Sequence, residues 1–211
     1  MSTNWLPKPA KNARSSKQWI AKAAPPCHTG NVQVFTDSGV TIYGGGNMRQ
    51  AAPHAVDIVL DLTGHIKNSW ILPEHWLAGA HIPKIINMEI LDFEAPPVGK
   101  LFWLALWNDL MSDALDKNSQ TLQVLVMCTG GHGRTGTVLA CLALAAGVIP
   151  ADVDPVVWIR DRYCQNAVES VEQLEYICNT FDRESYVPAK KGGDAYREYL
   201  LDDWSMFDKN V

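Results

Sequence analysis

The stretch that decides the fold is MCTGGHGRTGT, residues 127–137. Four glycines follow a cysteine here and surround an arginine. Glycine loses more conformational freedom on folding than any other residue, so this run indicates a backbone that must approach something closely. The preceding TLQVLVM is a short apolar run typical of a buried strand, and the following TVLACLALAAG has high helix propensity. The loop is therefore predicted to join the end of a strand to the start of a helix.

Segments with strand and helix patterns alternate along the chain. NVQVFTDSGVTIYGGGN, residues 31–47, predicts two short strands around the turn at Asp37, Ser38 and Gly39, followed by a flexible triple glycine. Residues 55–64 and 81–92 predict further strands, with Asp92 at the end of the second, and residues 73–80 a short helix or loop. Helices are expected at 98–118, directly after the glycine loop, at about 154–164 and at 168–182. This order predicts an α/β fold with a mainly parallel central sheet flanked by helices on both faces.

Two details of these helices are predicted from their periodicity. In the first helix, the apolar residues that recur at steps of three and four are Leu101, Leu104, Trp107, Met111 and Leu115, which are expected to form its buried face. In the last helix, Val168, Val171, Leu174, Cys178 and Phe181 share one face, Asn166 is the expected N-cap, and Glu169 stands in capping-box position.

Composition and charge bound the domain organisation. The 211 residues are 47% hydrophobic and 19% charged, which suits one globular domain. Residues 1–36 contain five cations and no acid, whereas the whole chain carries −5, so the body is acidic. We expect a basic, partly extended arm at residues 1–30 and a single catalytic domain at 31–211. An acidic body argues against a nucleic-acid partner or an anionic membrane surface.

Cysteine usage and hydropathy bear on location and metal binding. The five cysteines show no zinc-ligand spacing, and free thiols suit a reducing compartment. The N-terminal residues contain no apolar core of the kind that a signal peptide needs, and the longest apolar run is too short to span a bilayer. The sequence thus predicts a cytoplasmic protein with no metal, no other cofactor and no membrane partner. It makes no prediction about oligomeric state.

The chemistry of the glycine loop is predicted from its residue types. Free N–H groups and the positive end of the helix dipole make a helix N-terminus a site for an anion, above all phosphate. The lysine of a Walker A loop is missing, and the loop instead begins with Cys128 and ends with Arg134. A thiolate is stabilised at a helix start, and a guanidinium can hold two phosphoryl oxygens at once. The loop therefore predicts phosphoryl transfer to sulfur.

This pattern resembles the signature of the cysteine-dependent protein tyrosine and dual-specificity phosphatase superfamily. The signature is C-x5-R followed by Ser or Thr, here Cys128, Arg134 and Thr135. The resemblance covers roughly residues 55–182 and implies the fold of that superfamily. It also implies a phosphate-binding loop made of the residues between the nucleophile and the arginine, with the arginine itself: Thr129, Gly130, Gly131, His132, Gly133 and Arg134.

The same resemblance implies roles for three more residues. Asp92, in ILDFEAPP some thirty-odd residues before the cysteine, corresponds to the general acid, with Glu94 as the alternative in the same loop. Gln173, in AVESVEQLEYI, corresponds to the glutamine that positions the hydrolytic water. The hydroxyl of Thr135 corresponds to the one that stabilises the thiolate as a leaving group.

One departure from the family pattern and one feature of the loop bear on the choice of function. Met127 stands where most members have a histidine that helps to fix the loop, so weaker activity or a higher pH optimum is expected. The loop also has no lysine, which relatives that act on inositol phosphates often have, and this counts, with the acidic body, against that class of substrate. The preferred function is hydrolysis of phosphotyrosine in proteins, with phosphoserine and phosphothreonine as further substrates. The alternatives are an inositol-phosphate or phosphoinositide phosphatase, and a phosphate-binding pseudophosphatase with little turnover.

Overall fold

A five-stranded sheet forms the centre of the molecule. The computed structural model describes residues 30–46, 56–64, 83–117 and 120–189. The strands are β1 (Val32–Asp37), β2 (Val40–Gly46), β3 (Ile58–Asp61), β4 (Lys84–Asn87) and β5 (Leu122–Cys128), in the order β1-β2-β5-β3-β4. Among these strands β1 pairs antiparallel, and the other four are parallel. β5 lies in the middle, so its carboxyl end opens between two neighbouring strands, where ligands bind in sheets of this kind.

The hairpin of β1 and β2 confirms the predicted turn, but the glycines after it are not the expected loop. Ser38 and Gly39 have φ values of 48° and 79°, as the tight two-residue turn between twisted strands requires. The triple glycine was expected to be flexible. Instead, Gly44, Gly45 and Gly46 continue β2 and pair in parallel with residues 126–128 of β5. The end of β2 is thereby fixed beside the glycine loop.

Four helices in the described residues accompany the sheet: α1 (Lys100–Leu115), α2 (Gly133–Ala145), α3 (Pro155–Arg162) and α4 (Val171–Phe181). α2 starts directly after the glycine loop, as predicted, and every residue from Gly133 to Ala143 is buried. It ends before Gly147, whose φ is 71°. This burial all round α2 makes it the rigid support of the loop from which it starts.

The buried face of α1 differs in part from the predicted one, which correctly included Trp107. The residues that pack into the core are Trp103, Leu106, Trp107, Leu110 and Ala114. Leu101 and Leu115, which were expected in the core, are 81% and 83% exposed. The predicted and the observed sets of apolar residues both have helical spacing. The observed set faces the core because it contains the bulky indole of Trp103, which is fully buried.

The start of α4 also differs from the prediction. Its N-cap is Ser170 rather than Asn166, and the residue in capping-box position is Gln173 rather than Glu169. Val168 has φ 59°, a conformation that no helix contains, so the helix cannot begin earlier. The guanidinium of Arg160 holds this turn by donating to the carbonyl oxygens of Ala167 and Val168, at 2.9 and 3.0 Å.

The core divides into two clusters on the two faces of the sheet. The larger combines one face of the strands with α1, α2, α3 and α4. The smaller, on the opposite face, contains Val56, Val59, Leu125 and Met127, each less than 5% exposed. The prediction of an α/β fold with a mainly parallel central sheet flanked by helices is confirmed. The four described helices all belong to the larger cluster, so the helices expected on the other face stay a prediction. Among the described residues no helix is long and apolar enough to cross a membrane.

Two predicted segments cannot be compared with the structure. The predicted arm at residues 1–30 lies, apart from Gly30, outside the described residues, so the proposed division at residue 30 stays a prediction. The short helix or loop predicted at residues 73–80 also lies outside the described residues.

Candidate active site

The phosphate loop, residues 128–134, connects β5 to α2. Cys128 is the last residue of β5, and α2 begins at Gly133. The backbone N–H of Gly131 donates to the Sγ of Cys128 at 3.2 Å, and the cysteine is only 3% exposed. The geometry thus places a buried sulfur, in contact with a backbone amide, at the carboxyl end of the central strand and just before the start of α2.

The path of the phosphate loop is fixed by a close approach of two backbones. Gly131 has φ 72°, and a Cβ added there would lie 2.7 Å from the backbone nitrogen of Gly46. A Cβ at Gly46 would lie 2.5 Å from the nitrogen of Gly131. Only glycine at both positions permits this contact. Sequence reasoning missed Gly46; the three glycines at the end of a strand pattern were the available signal.

Tyr163 supports the phosphate loop through a hydrogen bond to its backbone. This residue follows α3, is fully buried, and donates its hydroxyl to the carbonyl oxygen of Gly131 at 2.5 Å. Burial raises the pKa of Tyr163 well above its usual range, and the neighbouring charge of Cys128 raises it further. The ring fills the space beside Gly44, where a Cβ would lie 2.5 Å from it. The sequence offered no signal for Tyr163, since its contact depends on tertiary packing.

Arg134 lies at the start of α2 and is 8% exposed. Its Nη1 donates to the carbonyl oxygen of Ile90 at 3.1 Å, and its Nη2 donates to the hydroxyl of Thr129 at 3.4 Å. Its Nε is buried and has no hydrogen-bond partner among the described residues. Leaving a buried cationic donor unpaired is costly, and an anionic acceptor at this place would satisfy it.

Asp92 is the acidic residue that faces Arg134. Its Oδ1 lies 3.1 Å from the Nη2 of Arg134, and its side chain is 64% exposed. The sequence placed Asp92 at a strand end, but β4 stops at Asn87 and Asp92 lies five residues later, in a turn with Phe93 at φ 65°. Of the two carboxylates considered for the general acid, Asp92 rather than Glu94 is within ion-pair distance of the arginine.

Thr135 is fully buried in the first turn of α2. Its hydroxyl donates to the carbonyl oxygen of Gly45 at 3.2 Å. This contact ties α2 to the end of β2, the same strand end that contacts Gly131. The expected action of this hydroxyl on the thiolate stays a prediction.

Gln173 is fully buried, although a helix glutamine is ordinarily exposed. Its Oε1 accepts from the backbone nitrogens of Glu169 and Ser170, at 3.0 and 3.3 Å. Its Nε2 donates to the carbonyl oxygen of Glu94 at 3.3 Å. The amide group therefore contacts the segment that carries Asp92. Its predicted role in orienting water remains a prediction.

Glu169 is a further residue at this site that sequence reasoning did not select. Its Oε2 accepts from the backbone nitrogen of Gly133 at 3.1 Å. A Cβ at Gly133 would lie 2.8 Å from that oxygen and 2.9 Å from the Oε1 of Gln173, so a larger residue here would displace both side-chain ends. The phosphate loop thus has carboxylates on two sides, Glu169 here and Asp92 at the arginine.

Met127 packs away from the nucleophile, and one cysteine near the loop is not a free thiol. The side chain of Met127 lies in the smaller cluster, on the face of the sheet opposite to Cys128, where it is 3% exposed. The Nδ1 of His132 lies 3.4 Å from the Sγ of Cys164. Cys128, Cys141 and Cys178 are free thiols, but Cys164 is disulfide-bonded, contrary to the expectation of free cysteines.

The fold and this constellation are those of the cysteine-dependent protein tyrosine and dual-specificity phosphatases. The chain matches the family model for the Swiss Army Knife protein, DSP-PTPase phosphatase domain (PTP-SAK), over residues 52–177, and it belongs to that family. The resemblance that the sequence motifs carried is thereby confirmed.

The chain is also similar to curated relatives and to a solved structure. An uncharacterised protein of Methanocaldococcus jannaschii is 41% identical over 86 residues, which are 40% of this chain and 48% of the relative. The phosphatidylinositol 3,4,5-trisphosphate 3-phosphatase of Schizosaccharomyces pombe is 33% identical over 130 residues, 58% of this chain and 36% of that protein. The chain therefore spans less than half the length of these relatives. The crystal structure of Tk-PTP in the active form, 24% identical, has a TM-score of 0.51 and covers 72% of this chain and 98% of its own, which supports the fold.

Proposed function

We propose that this protein hydrolyses phosphate monoesters of proteins, phosphotyrosine first and phosphoserine or phosphothreonine as further substrates, through a cysteinyl-phosphate intermediate. One observation carries the proposal: in the short segment that leads from β5 into α2, the N–H of Gly131 donates to the buried Sγ of Cys128, and the Nε of Arg134 is buried without a partner among the described residues. A nucleophile, an oxyanion donor and a cation in one place are what phosphoryl transfer to sulfur requires.

In the first step, Sγ of Cys128 attacks phosphorus, an S–P bond forms, and the ester P–O bond breaks. The loop amides and Arg134 bind the equatorial oxygens, whose negative charge they stabilise. The leaving oxygen takes a proton from Asp92, which faces Arg134 at 3.1 Å. Phosphoryl oxygens compete with the Asp92 carboxylate for the same Nη2, so substrate binding frees this carboxylate to take up a proton from solvent, which it then gives to the leaving oxygen.

In the second step, water attacks the phosphorus of the cysteinyl phosphate, and the S–P bond breaks with its electron pair on sulfur. The Asp92 carboxylate accepts the proton that the water loses, which restores the acid for the next cycle. Orientation of this water by Gln173 and stabilisation of the departing thiolate by Thr135 are part of the proposal. No metal ion or other cofactor has a part in it.

A protein substrate is preferred because of the charges around the loop. The segment between Cys128 and Arg134 contains no lysine, and the carboxylates of Glu169 and Asp92 contact the loop on two sides. One phosphate on a largely neutral side chain suits this setting, whereas a headgroup with several phosphates would meet repulsion. A cytoplasmic location stays part of the proposal; the free thiols support it, and the disulfide at Cys164 does not.

A phosphoinositide phosphatase is the second candidate. It is favoured by the similarity to the phosphatidylinositol 3,4,5-trisphosphate 3-phosphatase of Schizosaccharomyces pombe. The chemistry at Cys128 would be the same, so only the substrate distinguishes the two. A pseudophosphatase is the third, and the replacement of histidine by Met127 is the observation that favours it.

Steady-state kinetics decide among the three. The purified protein is assayed with a phosphotyrosine peptide, a phosphoserine peptide and a phosphoinositide in phosphatidylcholine vesicles, with and without a chelator and with vanadate. We expect the highest kcat/KM on phosphotyrosine, inhibition by vanadate and no effect of the chelator. Preference for the vesicles would establish the second candidate, and no turnover on any substrate the third.

Two cysteine variants complete the test. Cys128→Ser should abolish turnover yet still bind vanadate and trap phosphoprotein substrate in a pull-down. Cys178→Ser is the matched control, because this half-buried free thiol lies on α4 and should leave the rate unchanged. Full activity of Cys128→Ser would end the proposal of a sulfur nucleophile.

A further inference from the structure

The first turn of α4 contacts the backbone directly after the general acid. The Oγ of Ser170 donates to the carbonyl oxygen of Phe93 at 2.6 Å, and the Nε2 of Gln173 donates to that of Glu94 at 3.3 Å. Ser170 is 6% exposed and Gln173 is fully buried. Two buried donors from one helix turn thus hold the two peptide carbonyls that directly follow Asp92.

We propose that Ser170 and Gln173 are positioning residues for the general acid: they latch the acid loop, residues 88–97, over the phosphate loop. This inference rests on the proposed function. Asp92 itself is 64% exposed, and its contact with Arg134 is one that phosphate competes for. When substrate takes that contact, the hydrogen bonds to Phe93 and Glu94 are what keep the carboxyl group near the leaving oxygen. Correct placement of a general acid is worth more than its mere presence.

The choice of glutamine at position 173 supports a role beyond helix capping. The capping box accepts either Glu or Gln, because the cap needs only the side-chain oxygen that receives a backbone N–H. Here the Oε1 of Gln173 performs this task, receiving the nitrogens of Glu169 and Ser170. The Nε2 is what glutamate would lack, and it is the atom that reaches the carbonyl of Glu94.

The same turn also contacts the phosphate loop. Glu169, directly before the N-cap, accepts from the backbone nitrogen of Gly133 at 3.1 Å. Residues 169–173 therefore bridge the loop that carries the nucleophile and the loop that carries the acid. A bridge of this kind fixes the distance between two groups that must act on opposite ends of one bond.

Two variants each remove one hydrogen bond of the latch while keeping the helix cap. Ser170→Gly loses the donor to Phe93, and glycine is nearly as good an N-cap as serine. Gln173→Glu keeps the capping box and loses the donor to Glu94. Each should lower kcat/KM about tenfold on a phosphotyrosine peptide, whose leaving group needs the acid, and less than about twofold on an activated aryl phosphate. Ser170→Thr keeps both functions and should restore the wild-type values.

A double-mutant cycle with Asp92→Asn shows whether the effect passes through the acid. If Ser170 acts by placing Asp92, then Ser170→Gly should cost nothing further once Asp92 is Asn. Equal losses on both substrates, or additive losses in the cycle, would overturn the latch. Melting temperatures of all variants identify any loss that comes from folding; if Ser170→Gly is destabilised, Gln173→Glu decides.

Hydrogen exchange separates failure of the latch from failure of the proposed function. The amide of Glu94, which donates to the carbonyl of Leu91 at 3.1 Å, should exchange faster in Ser170→Gly than in the wild type, whether or not the protein turns over substrate. Faster exchange in a protein without any phosphatase activity would support the latch and contradict the proposed phosphatase function. Unchanged exchange and unchanged substrate selectivity in an active protein would overturn the latch alone.

Discussion

The phosphate loop and the acid loop are built in opposite ways. The phosphate loop has buried ends, with Cys128 3% and Arg134 8% exposed, although Thr129 and Gly130 between them are exposed. Its backbone is held by close contacts with Gly46 and Tyr163. The acid loop lies at the surface, where Asp92 is 64% exposed. The contacts that tie it to the phosphate loop and to α4 are hydrogen bonds to peptide carbonyls and one ion pair.

The difference follows from the tasks that the two loops are proposed to perform. Donors that stabilise developing charge work best when they are already in place, because no free energy is then needed to reorient them. An acid that must admit a substrate and then protonate it has to move, or at least exchange partners. A packed loop and a latched loop are the structural counterparts of these two demands. Substitutions in the first loop should therefore affect every substrate, and those in the second only substrates with poor leaving groups.

The largest expected effect comes from the phosphate loop. Arg134→Lys keeps the positive charge and loses the planar fork that can hold two oxygens. We expect kcat/KM to fall about a hundredfold to a thousandfold on all phosphate esters, with the fold retained. Steady-state kinetics with two leaving groups and a thermal melt check this. A rate near the wild-type value would show that Arg134 does not hold the phosphoryl group.

Asp92→Asn tests the opposite half of the comparison. Tyrosine leaves as a phenolate whose conjugate acid has a pKa near 10, so it needs the proton, whereas an activated aryl ester hardly does. The loss should be about a hundredfold on the phosphotyrosine peptide and much smaller on the activated ester. The basic limb of the pH–rate profile should flatten, because no acid remains to lose its proton. Similar losses on both esters with an unchanged profile would point to Glu94, and Glu94→Gln is then the next variant.

Tyr163→Phe tests how much the hydrogen bond from Tyr163 contributes to the activity of the phosphate loop. The variant keeps the ring beside Gly44 and loses the hydrogen bond to Gly131, so kcat/KM should fall about tenfold on both kinds of ester. Tyr176→Phe is the matched control, since that hydroxyl donates to the carbonyl of Val98, away from the loop, at 2.6 Å. If both variants had the same kinetics, the contact with Gly131 would be merely structural.

The buried tyrosines also predict a loss of stability at alkaline pH. Burial raises the pKa of Tyr163 well above its usual range and that of Tyr176 to about 12, whereas both have a pKa near 10 in the unfolded chain. Above pH 10 the unfolded state loses protons that the folded state keeps, so the free energy of unfolding falls as pH rises. Denaturant titrations at pH 8 and 11 should show a smaller loss in Tyr163→Phe.

The smallest effect is expected for Glu169→Gln. Glutamine retains an oxygen to accept from Gly133 and removes a negative charge beside the site of the substrate anion. KM should fall about threefold with kcat unchanged, and the effect should shrink at high salt. An unchanged KM at low ionic strength would mean that solvent already screens this carboxylate.

The phosphate loop could be predicted from the sequence because its signals are local. A strand pattern, a glycine run with Cys128 and Arg134, and a helix pattern are contiguous, and each has its own physical reason. The acid loop was predicted less accurately, since β4 ends five residues before Asp92 and the intervening turn has no simple periodicity. Thr135 and Gln173 were found through resemblance, and the contacts that they make were not foreseen.

The supporting residues could not be predicted, because their contacts join distant parts of the chain. Gly46 contacts the phosphate loop from β2, and Tyr163 contacts it from the end of α3. The sequence around each residue contains no pattern that indicates this contact. The buried face of α1 was predicted only in part, and the N-cap of α4 was predicted wrongly. Tertiary packing decided both: Trp103 is fully buried in α1, and the left-handed conformation of Val168 prevents α4 from starting earlier.

The hairpin of β1 and β2 determines where a truncated protein must begin if the phosphate loop is to stay intact. It precedes every residue with a proposed chemical role, yet Gly46 interlocks with Gly131 and the carbonyl of Gly45 receives the hydroxyl of Thr135. A truncated protein that began after the hairpin would contain Cys128, Arg134 and Asp92 but would lose the contacts of β2 with the phosphate loop and with α2. It would also leave β5 as an open edge, with unpaired backbone groups that invite aggregation. Any truncated version intended for expression should therefore begin before Val32.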